Sequence, residues 1–473
     1  MKETGQSASH HNQRSEACFG CKSLPERKRK KKLRTDGLPF RDELSPVLAP
    51  LVARFHPDVR VRFYSPEVIV FALLAAVNSR DNTLRGAVVR NNADRMQRGD
   101  APASTGTSAF SEARSKLNPL VLIGAAKDVA ARVCAKAPGG DIWRGMAPYV
   151  IDGTTLTAAD TAENQRRFPQ ATTQAEGVGY PIMRVVVIQS LATGMIGDLA
   201  LAPYAGKGTG EMALAREVMP TIPENSLLMG DRYFPSFFFL ADLRRRGIHG
   251  IFPMHAARKV DFRKGKWLTY GDHAVVWQKP ARPEWMSEDE YAGYPSALDM
   301  REMEVREKGN GRERLVLVTT LLDADAFPKA DVARMYRQRW RVEVALRDMK
   351  DTFGLDHINA NTPEMIEKII WAHALAYNVL RWHMLNACSL YEVEPEQVSV
   401  KTAAMILAAN ATLILAASPD GRPRLFACLY KQMVQAVVGR RPGREEPRAI
   451  KRRPKSRALL KEPRKLWHER RTA

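Results

Sequence analysis

The sequence predicts an α/β protein with a mixed sheet flanked by helices, a helical N-terminal region and a β-rich insertion. Residues 40–145 show the apolar recurrence of helices. After residue 146, short β-branched and apolar runs bounded by Gly and Pro come first in series and then alternate with helical stretches. About sixty residues rich in charge, Trp and Pro follow Met254 and interrupt that alternation.

The N-terminal region is helical because its apolar residues recur at helical spacing. The stretches that show this are LSPVLAPLVARF, SPEVIVFALLAAV and NPLVLIGAAKDVAARVCAKA. Ser65 and Pro66 stand where a helix typically begins. Exposed Arg and Asn side chains suit contact with DNA, so we predict a DNA-binding domain at 39–145. A purely structural helical cap is the alternative.

The α/β domain is predicted in two parts, 146–255 and 326–438, around an insertion at 256–325. Strands of the first part are predicted in MAPYVIDGTTL, YPIMRVVVIQSLA, GMIGDLALAPYA, NSLLMGDRYF and GIHGIFPM, with helices in EMALAREVM and FPSFFFLADLRRRG. Insertion strands are predicted in KWLTYGDHAVVWQK and RERLVLVTTLL. The second part begins with a helix at about 329–352, and the long amphipathic helix PEMIEKIIWAHALAYNVLRWHMLNA follows.

Charge favours a polyanionic partner. The 473 residues carry a net charge of +21 and are 45% hydrophobic, enough for a substantial core. Residues 1–38 carry a net +6 and residues 439–473 a net +10. We predict a basic leader and a basic tail, both flexible, that add salt-sensitive affinity for nucleic acid. An anionic membrane surface would attract the same segments.

Cysteine usage and hydropathy predict a cytoplasmic protein with no membrane partner. The five cysteines are too widely spaced for a disulfide framework, and the pair Cys18 and Cys21 lacks a second pair at zinc-site spacing. The polar start has no apolar signal segment. The longest apolar run, 403–417, is too short to span a bilayer.

Four polar side chains share one face of the helix predicted at 329–352. They are Tyr336, Arg339, Glu343 and Lys350. At about 100° per residue they fall within about 60° of each other. An apolar stripe a quarter turn away would pack the helix: Met335, Val342, Leu346, Met349 and Phe353. A carboxylate between cations suits a site for metal and phosphate together, whereas a solvated face is the plainer alternative.

Two aspartates follow apolar strands. Asp152 closes the first strand in YVIDGTTL and Asp231 closes a later one in LLMGDRYF. Acids at strand ends tend to face the crevice at the sheet edge, and the neighbours Gly153 and Gly230 would let a ligand approach closely. With Glu343 they form a set of carboxylates suited to two Mg²⁺ ions, or Mn²⁺ in their place. An Asp before Gly is also common in turns, so each alone has a structural alternative.

The cations of the helix face are assigned to phosphate binding. Arg339 would bind a phosphate bidentately, Lys350 would act as a point charge, and the Tyr336 hydroxyl would donate a hydrogen bond. Among competing acids, Asp348 points nearly opposite to this face. Asp351 lies at an intermediate angle and stays open as an alternative to Glu343.

The pattern Tyr-x2-Arg-x3-Glu-x6-Lys resembles the signature of DDE transposases of the insertion-sequence-4 family. The DGT context of Asp152, the DRYF context of Asp231 and the long insertion before Glu343 resemble that family as well. The resemblance covers roughly residues 40–440. It implies an RNase H-like domain in which these three acids bind the catalytic metals.

The resemblance also implies a reaction and its partners. The enzyme would cut at the terminal inverted repeats of a transposon and join the freed 3′-OH to target DNA, as a homodimer in a synaptic complex on the bacterial nucleoid. Contacts to the transposon-end DNA would come from Tyr336, Arg339, Lys350 and Arg347. An aromatic residue of the insertion would stack on a flipped base, and Trp267 and Trp277 are both candidates.

Three alternatives stay open at this point. They are a metal-dependent nuclease on the same fold, a catalytically silent DNA-binding protein derived from a transposase, and a basic RNA-binding protein. The third lacks an RNP-type or KH-type motif. The cations beside Glu343 favour strand joining, because joining requires a cut end held in register. The sequence does not decide between a hairpin intermediate and simple cuts.

Overall fold

A computed structural model describes residues 41–57, 63–77, 83–97, 99–136, 143–255, 257–306, 314–418, 420–437, 460 and 462–472. The predicted basic leader, with Cys18 and Cys21, lies outside these ranges, as does most of the predicted basic tail. Within them the protein is a mixed α/β structure, as predicted. No helix within these ranges combines the length and the apolar character that crossing a membrane requires.

The described part of residues 41–136 consists of helices joined by short connections, in line with the helical region that was predicted. The helices are α1 (Arg41–Phe55), α2 (Pro66–Val77), α3 (Leu84–Gln97), α4 (Ser108–Lys116) and α5 (Pro119–Ala135). The Ser65 hydroxyl accepts a hydrogen bond from the Val68 amide at 3.3 Å, and the Asn118 side chain accepts one from the Leu120 amide. These capping bonds define where α2 and α5 begin.

Ten strands form one mixed sheet in the described part of the chain. They are β1 (Ala147–Ala158), β2 (Ile182–Ser190), β3 (Ile196–Pro203), β4 (Ser226–Met229), β5 (Ile248–Pro253), β6 (Lys266–Thr269), β7 (Asp272–Gln278), β8 (Ala297–Arg306), β9 (Arg314–Thr319) and β10 (His357–Ile358). Their order is β3-β2-β1-β4-β5-β9-β8-β7-β6, with β10 on β1. β1 runs antiparallel to β2 and parallel to β4.

Further helices pack around the sheet. They are α6 (Ala162–Arg167), α7 (Glu211–Val218), α8 (Phe237–Arg245), α9 (Glu288–Ala292), α10 (Lys329–Tyr336), α11 (Trp340–Asp351), α12 (Pro363–Tyr391), α13 (Val400–Ala416), α14 (Arg422–Gln435) and α15 (Arg464–Thr472). Leu214 of α7 and Phe239 of α8 share a core cluster with Ile151 of β1. Asn378 of α12 donates to the carbonyls of Ala126 and Ile196, which ties α12 to α5 and β3.

The β-rich segment extends the central sheet. β9 pairs antiparallel with β5, so β6 to β9 continue the same hydrogen-bonded ladder. β8 was not predicted, because its sequence ALDMREMEVR is interrupted by charges. Arg301 and Glu302 of that strand are nevertheless buried. Arg301 pairs with Asp272 and Glu302 with His273, which offsets the cost of burying their charges. The proposed domain boundaries remain predictions.

The end of the predicted flexible tail is helical where the structure describes it. Arg464, the first residue of α15, donates to the Asp160 carboxylate at 2.6 Å and to the Gly179 carbonyl. Its backbone amide donates to the Gly177 carbonyl at 3.0 Å. Arg464 therefore anchors the start of α15 to the segment between β1 and β2, contrary to the prediction of a flexible tail.

Candidate active site

Asp152 and Asp231 both lie just beyond the point where the pairing of β1 with β4 ends. The parallel pairing of β1 with β4 stops at Val150 and Met229, and each aspartate lies two residues further along its own chain. They therefore stand at the same level, beside a gap that we call the notch. The prediction that Asp152 closes its strand is wrong, because β1 continues to Ala158 on the β2 side. It is β4 that stops and opens the notch.

Glu343 of α11 completes the group of predicted acids. Burial raises the pKa of Asp152 to about 6, a hydrogen bond from the Gly153 amide and the charge of Arg339 oppose that rise, and the charges of Glu343 and Asp231 add to it. The three acids are thus near enough to interact through their charges. The structure brings together the carboxylates that the sequence singled out.

Each of these acids also has a protein donor. Glu343 accepts from the Arg339 guanidinium at 2.5 Å, Asp231 accepts from the Tyr233 amide at 2.8 Å, and Asp152 accepts from the Gly153 amide at 2.9 Å. Among the described residues, no three His, Cys, Asp or Glu side chains are close enough together to form a metal-binding group. Charge interactions extend further than coordination bonds, so the acids are neighbours whose oxygens do not converge on one point.

The residues fit a hard divalent cation. The donors are all carboxylate oxygens, which Mg²⁺ prefers. Mutual repulsion and burial both disfavour the charged form of Asp152, and a cation between the acids would offset both. Glu343 would join such a site by leaving Arg339, whose guanidinium would then be released for a phosphate oxygen.

The helix that carries the four polar residues is interrupted. A continuous helix was predicted at about 329–352, but the turn Arg337–Arg339 is a 3-10 helix between α10 and α11. Arg339 still contacts Glu343, and its guanidinium lies 5.9 Å from the centre of the Tyr336 ring. Tyr336, Arg339 and Glu343 are therefore neighbours as predicted, although the rotation of about 100° per residue of a regular α-helix does not apply within that turn.

Lys350 and Arg347 occupy different surroundings. The Lys350 ammonium donates to the Thr155 carbonyl of β1 at 3.0 Å, three residues beyond Asp152. Burial lowers the pKa of Lys350, and the charges of Asp356 and Asp351 oppose that effect. Arg347 is exposed. Lys350 thus lies along β1 near the notch, and Arg347 faces solvent.

Asp348 faces away from the notch. Burial raises its pKa to about 6, and the charges of Arg347 and Arg381 of α12 oppose that rise. Its charged neighbours therefore differ from those of Asp152, in line with the predicted orientation. The negative charge of Asp351 raises the pKa values of Asp348 and Lys350.

Burial separates the two candidate tryptophans. Trp277 is 3% exposed, its indole N–H donates to Glu302 at 2.7 Å, and the Arg258 guanidinium covers its ring at 3.6 Å. The candidacy of Trp277 for stacking on DNA is therefore wrong, because its ring packs inside the insertion. Trp267 of β6 is 69% exposed and remains the candidate for stacking on a flipped base.

Two cavities flank the site. One of about 610 Å³ lies between the insertion and α10, and Tyr270, Lys329, Tyr336 and Arg337 contribute to its lining. Tyr336 itself is buried. Another, of about 280 Å³, begins at Arg232, next to Asp231, and is also lined by His255 and Arg258. This basic cavity was not predicted, since its residues come from separate segments.

Glu211, the first residue of α7, also lies near these acids and was not among the predicted site residues. Its carboxylate lies against Gly153, and its Oε1 lies 3.7 Å from the Arg184 Nε of β2. Burial raises the pKa of Glu211, the charge of Arg184 opposes that rise, and the charge of Asp231 adds to it. An acid at a helix start is common, so nothing in the sequence set this one apart.

Comparisons with known proteins agree with one another. A family model described as a transposase DDE domain matches residues 143–379, about half of the chain. The chain is 25% identical over 401 residues to the transposase InsG of insertion sequence element IS4 from Escherichia coli K12, covering 84% of this chain and 87% of that protein. It is 30% identical over 116 residues to the putative transposase InsZ of the same organism, covering 24% of this chain and 38% of that one.

A solved structure is also similar. It is the cryo-EM structure of a piggyBac transposase synaptic complex with hairpin DNA, with a TM-score of 0.41 and 13% sequence identity over 85% of this chain and 84% of that chain. A likeness at that level carries no conclusion about the reaction.

Proposed function

This chain belongs to the transposase DDE-domain family, and from that premise we propose that it catalyses cut-and-paste transposition through Mg²⁺-dependent cleavage and strand transfer. The observation that carries the proposal is the meeting of Asp152, Asp231 and Glu343 at the notch, with Arg339 and Lys350 beside them. The strand order β3-β2-β1-β4-β5, with β1 parallel to β4, supports an RNase H-like assignment.

The three acids would hold the metal, and the cations would hold the DNA. When bound, a pair of Mg²⁺ ions, or Mn²⁺ in their place, supplies Lewis-acid activation of a water or 3′-OH and stabilises the leaving oxygen. Asp152 and Asp231 each lie two residues beyond the last registered pair of β1 with β4, so both are positioned by the sheet, whereas Glu343 would have to move from Arg339. Arg339 would pass from Glu343 to a phosphate oxygen as DNA enters.

The cations around the notch indicate a path for the DNA backbone. Lys350 lies along β1, at the Thr155 carbonyl, and the basic cavity begins at Arg232, the residue after Asp231. Arg347 is exposed further along α11 and would add a phosphate contact. We assign the helices of 39–145 to the inverted repeat and the basic terminal segments to non-specific DNA affinity. Double-stranded DNA held by a homodimer would complete the complex.

Trp267→Ala should weaken hairpin or strand-transfer steps while leaving the first nick nearly unchanged. An exposed ring on β6 can stack on an unpaired base, which is worth roughly 1–3 kcal/mol per base. We expect a fall of about tenfold in joined product, measured with a pre-nicked transposon end. Trp267→Phe should restore most of it, because phenylalanine keeps a stacking face. Equal loss in both variants would contradict stacking.

The proposed reaction can be tested on purified full-length protein. The assay combines Mg²⁺, a duplex carrying the repeat that flanks the gene and a supercoiled target plasmid, with products resolved on a sequencing gel. Nicks at the repeat boundary together with joined products would establish cleavage and strand transfer. Cleavage without joining would show a nuclease only. Binding without cleavage under Mg²⁺ or Mn²⁺ would show a catalytically silent DNA-binding protein.

A further inference from the structure

Glu211 fills the space that the absent side chain of Gly153 leaves open. A Cβ atom at Gly153 would lie 2.8 Å from Cδ and 2.9 Å from Oε1 of Glu211. Successive residues of a strand point to opposite faces of a sheet, so Glu211 lies on the face of β1 opposite the Asp152 side chain. The glycine that was expected to admit a ligand therefore admits a carboxylate of the same chain.

The notch connects the two faces of β1. Beyond Val150 and Met229, no residue of β4 pairs with β1 to close that edge. Asp231 follows the end of β4 at the level of Asp152, and its charge raises the pKa of both Asp152 and Glu211. Asp152 and Glu211 therefore lie on opposite faces of β1 beside the notch, each near enough to Asp231 to interact with its charge.

Arg184 balances the charge of Glu211 without occupying its oxygens. The distance of 3.7 Å between Arg184 Nε and Glu211 Oε1 is an ion pair but too long for a hydrogen bond. Within the described part of the chain that buried nitrogen has no hydrogen-bond partner. The Arg184 Nη1 donates to the Thr209 carbonyl at 3.0 Å, and the guanidinium lies over the Tyr204 ring at 5.0 Å. The guanidinium is thus held beside the carboxylate by other partners.

We propose that Glu211 is a fourth acid of the active site, a positioning residue that helps to hold a divalent cation between Asp152 and Asp231 from the opposite face of β1. The inference rests on the proposed metal-dependent function. Groups that support a metal site from just outside the direct ligands typically account for ten- to hundredfold in metal affinity or activity. Glu211 has the charge for that role, and Gly153 is the residue that makes room for it.

Glu211→Gln tests this inference, because it keeps the shape of the side chain and removes its charge. We expect Mn²⁺ to bind the full-length protein about tenfold more weakly, measured from the electron paramagnetic resonance signal of free Mn²⁺. The Mg²⁺ concentration for half-maximal cleavage should rise by a similar factor, with a smaller change in the maximal rate. Glu217→Gln, at the exposed far end of α7, is the matched control.

Gly153→Ala gives a second, steric route to the same defect. The new Cβ would displace the Glu211 carboxylate, so Mn²⁺ affinity should fall with the charge still present. In a protein that already carries Glu211→Ala, Gly153→Ala should lower Mn²⁺ affinity little further, because the side chain with which the new Cβ would clash is absent. If Asp152→Asn and Glu211→Gln both weaken Mn²⁺ binding, the inference is supported. This holds even if the protein cuts no DNA, because a lack of cleavage would count only against the proposed function. Binding that depends on Asp152 and ignores Glu211→Gln overturns it and leaves the proposed function intact.

Discussion

Asp231→Asn should abolish Mg²⁺-dependent cleavage of DNA ends while leaving end binding largely intact. Asparagine has nearly the same shape and can still accept the 2.8 Å hydrogen bond from the Tyr233 amide, so the loop after β4 should keep its conformation. What is lost is one negative charge at the notch. A metal supplies several kilocalories per mole of charge stabilisation in the transition state. The cleavage rate should therefore fall by about a thousandfold or more, measured on a labelled transposon end.

Asp348→Asn is the matched control for that experiment. Asp348 lies on the same helix as Glu343 but interacts with Arg347 and Arg381, and burial raises its pKa to about 6, so removing its charge relieves part of the cost of burying it. Cleavage by this variant should stay within a few-fold of the wild-type rate. If Asp231→Asn reduced end binding as much as cleavage, its carboxylate would be acting in DNA recognition or folding, and the metal role would be rejected.

The three candidate acids could be singled out from the sequence because each carries a local signal. Asp152 and Asp231 follow apolar runs of sequence, and Glu343 lies at helical spacing from Arg339, a relation that depends only on one turn of chain. The Arg339–Glu343 contact forms despite the 3-10 turn, because Arg339 is the last residue of that turn and Glu343 lies in the regular helix α11 that follows it. Local patterns of this kind are properties of the sequence.

What sequence reasoning missed depends on contacts between distant segments. β8 is hidden by charges whose partners lie about thirty residues away, at Asp272 and His273. Glu211 is recognisable only once α7 is placed under Gly153. The choice between Trp267 and Trp277 required knowing which face of the insertion is covered. Pairing and packing decide all three, and no single stretch of the chain carries that information.

Asp272→Ala should destabilise the insertion by about 3–5 kcal/mol, because it leaves a buried guanidinium without its counter-charge. The side chains of Asp272 and Arg301 are both fully buried and joined by hydrogen bonds of 2.5 and 2.8 Å. Arg301 also donates to the Phe327 carbonyl at 2.7 Å, which reaches towards the start of α10. The free energy of unfolding can be measured by urea titration followed by circular dichroism, with limited proteolysis reporting on the insertion itself.

Glu112→Ala provides the comparison, since Glu112 and Lys116 form an exposed ion pair on α4 whose loss should cost below about 1 kcal/mol. A cost for Asp272→Ala no greater than that would show that the buried pair is solvated in solution, and would reject the argument.

The double variant Asp272→Leu with Arg301→Met distinguishes the contribution of the buried ion pair to stability from its contribution to the register of β7 with β8. Apolar pairs often replace buried ion pairs at no cost in stability, or with a gain. Arg301 pairs across from Ala274 and reaches diagonally to Asp272, so the ion pair selects one alignment of β7 with β8. β6, which contains Trp267, pairs with β7. A change in the register of β7 with β8 would therefore move the exposed Trp267 ring relative to the notch. We therefore expect the double variant to remain folded and to nick DNA ends, yet to lose strand transfer to about the same extent as Trp267→Ala. Normal strand transfer in a folded double variant would mean that β7 and β8 keep their register without the ion pair.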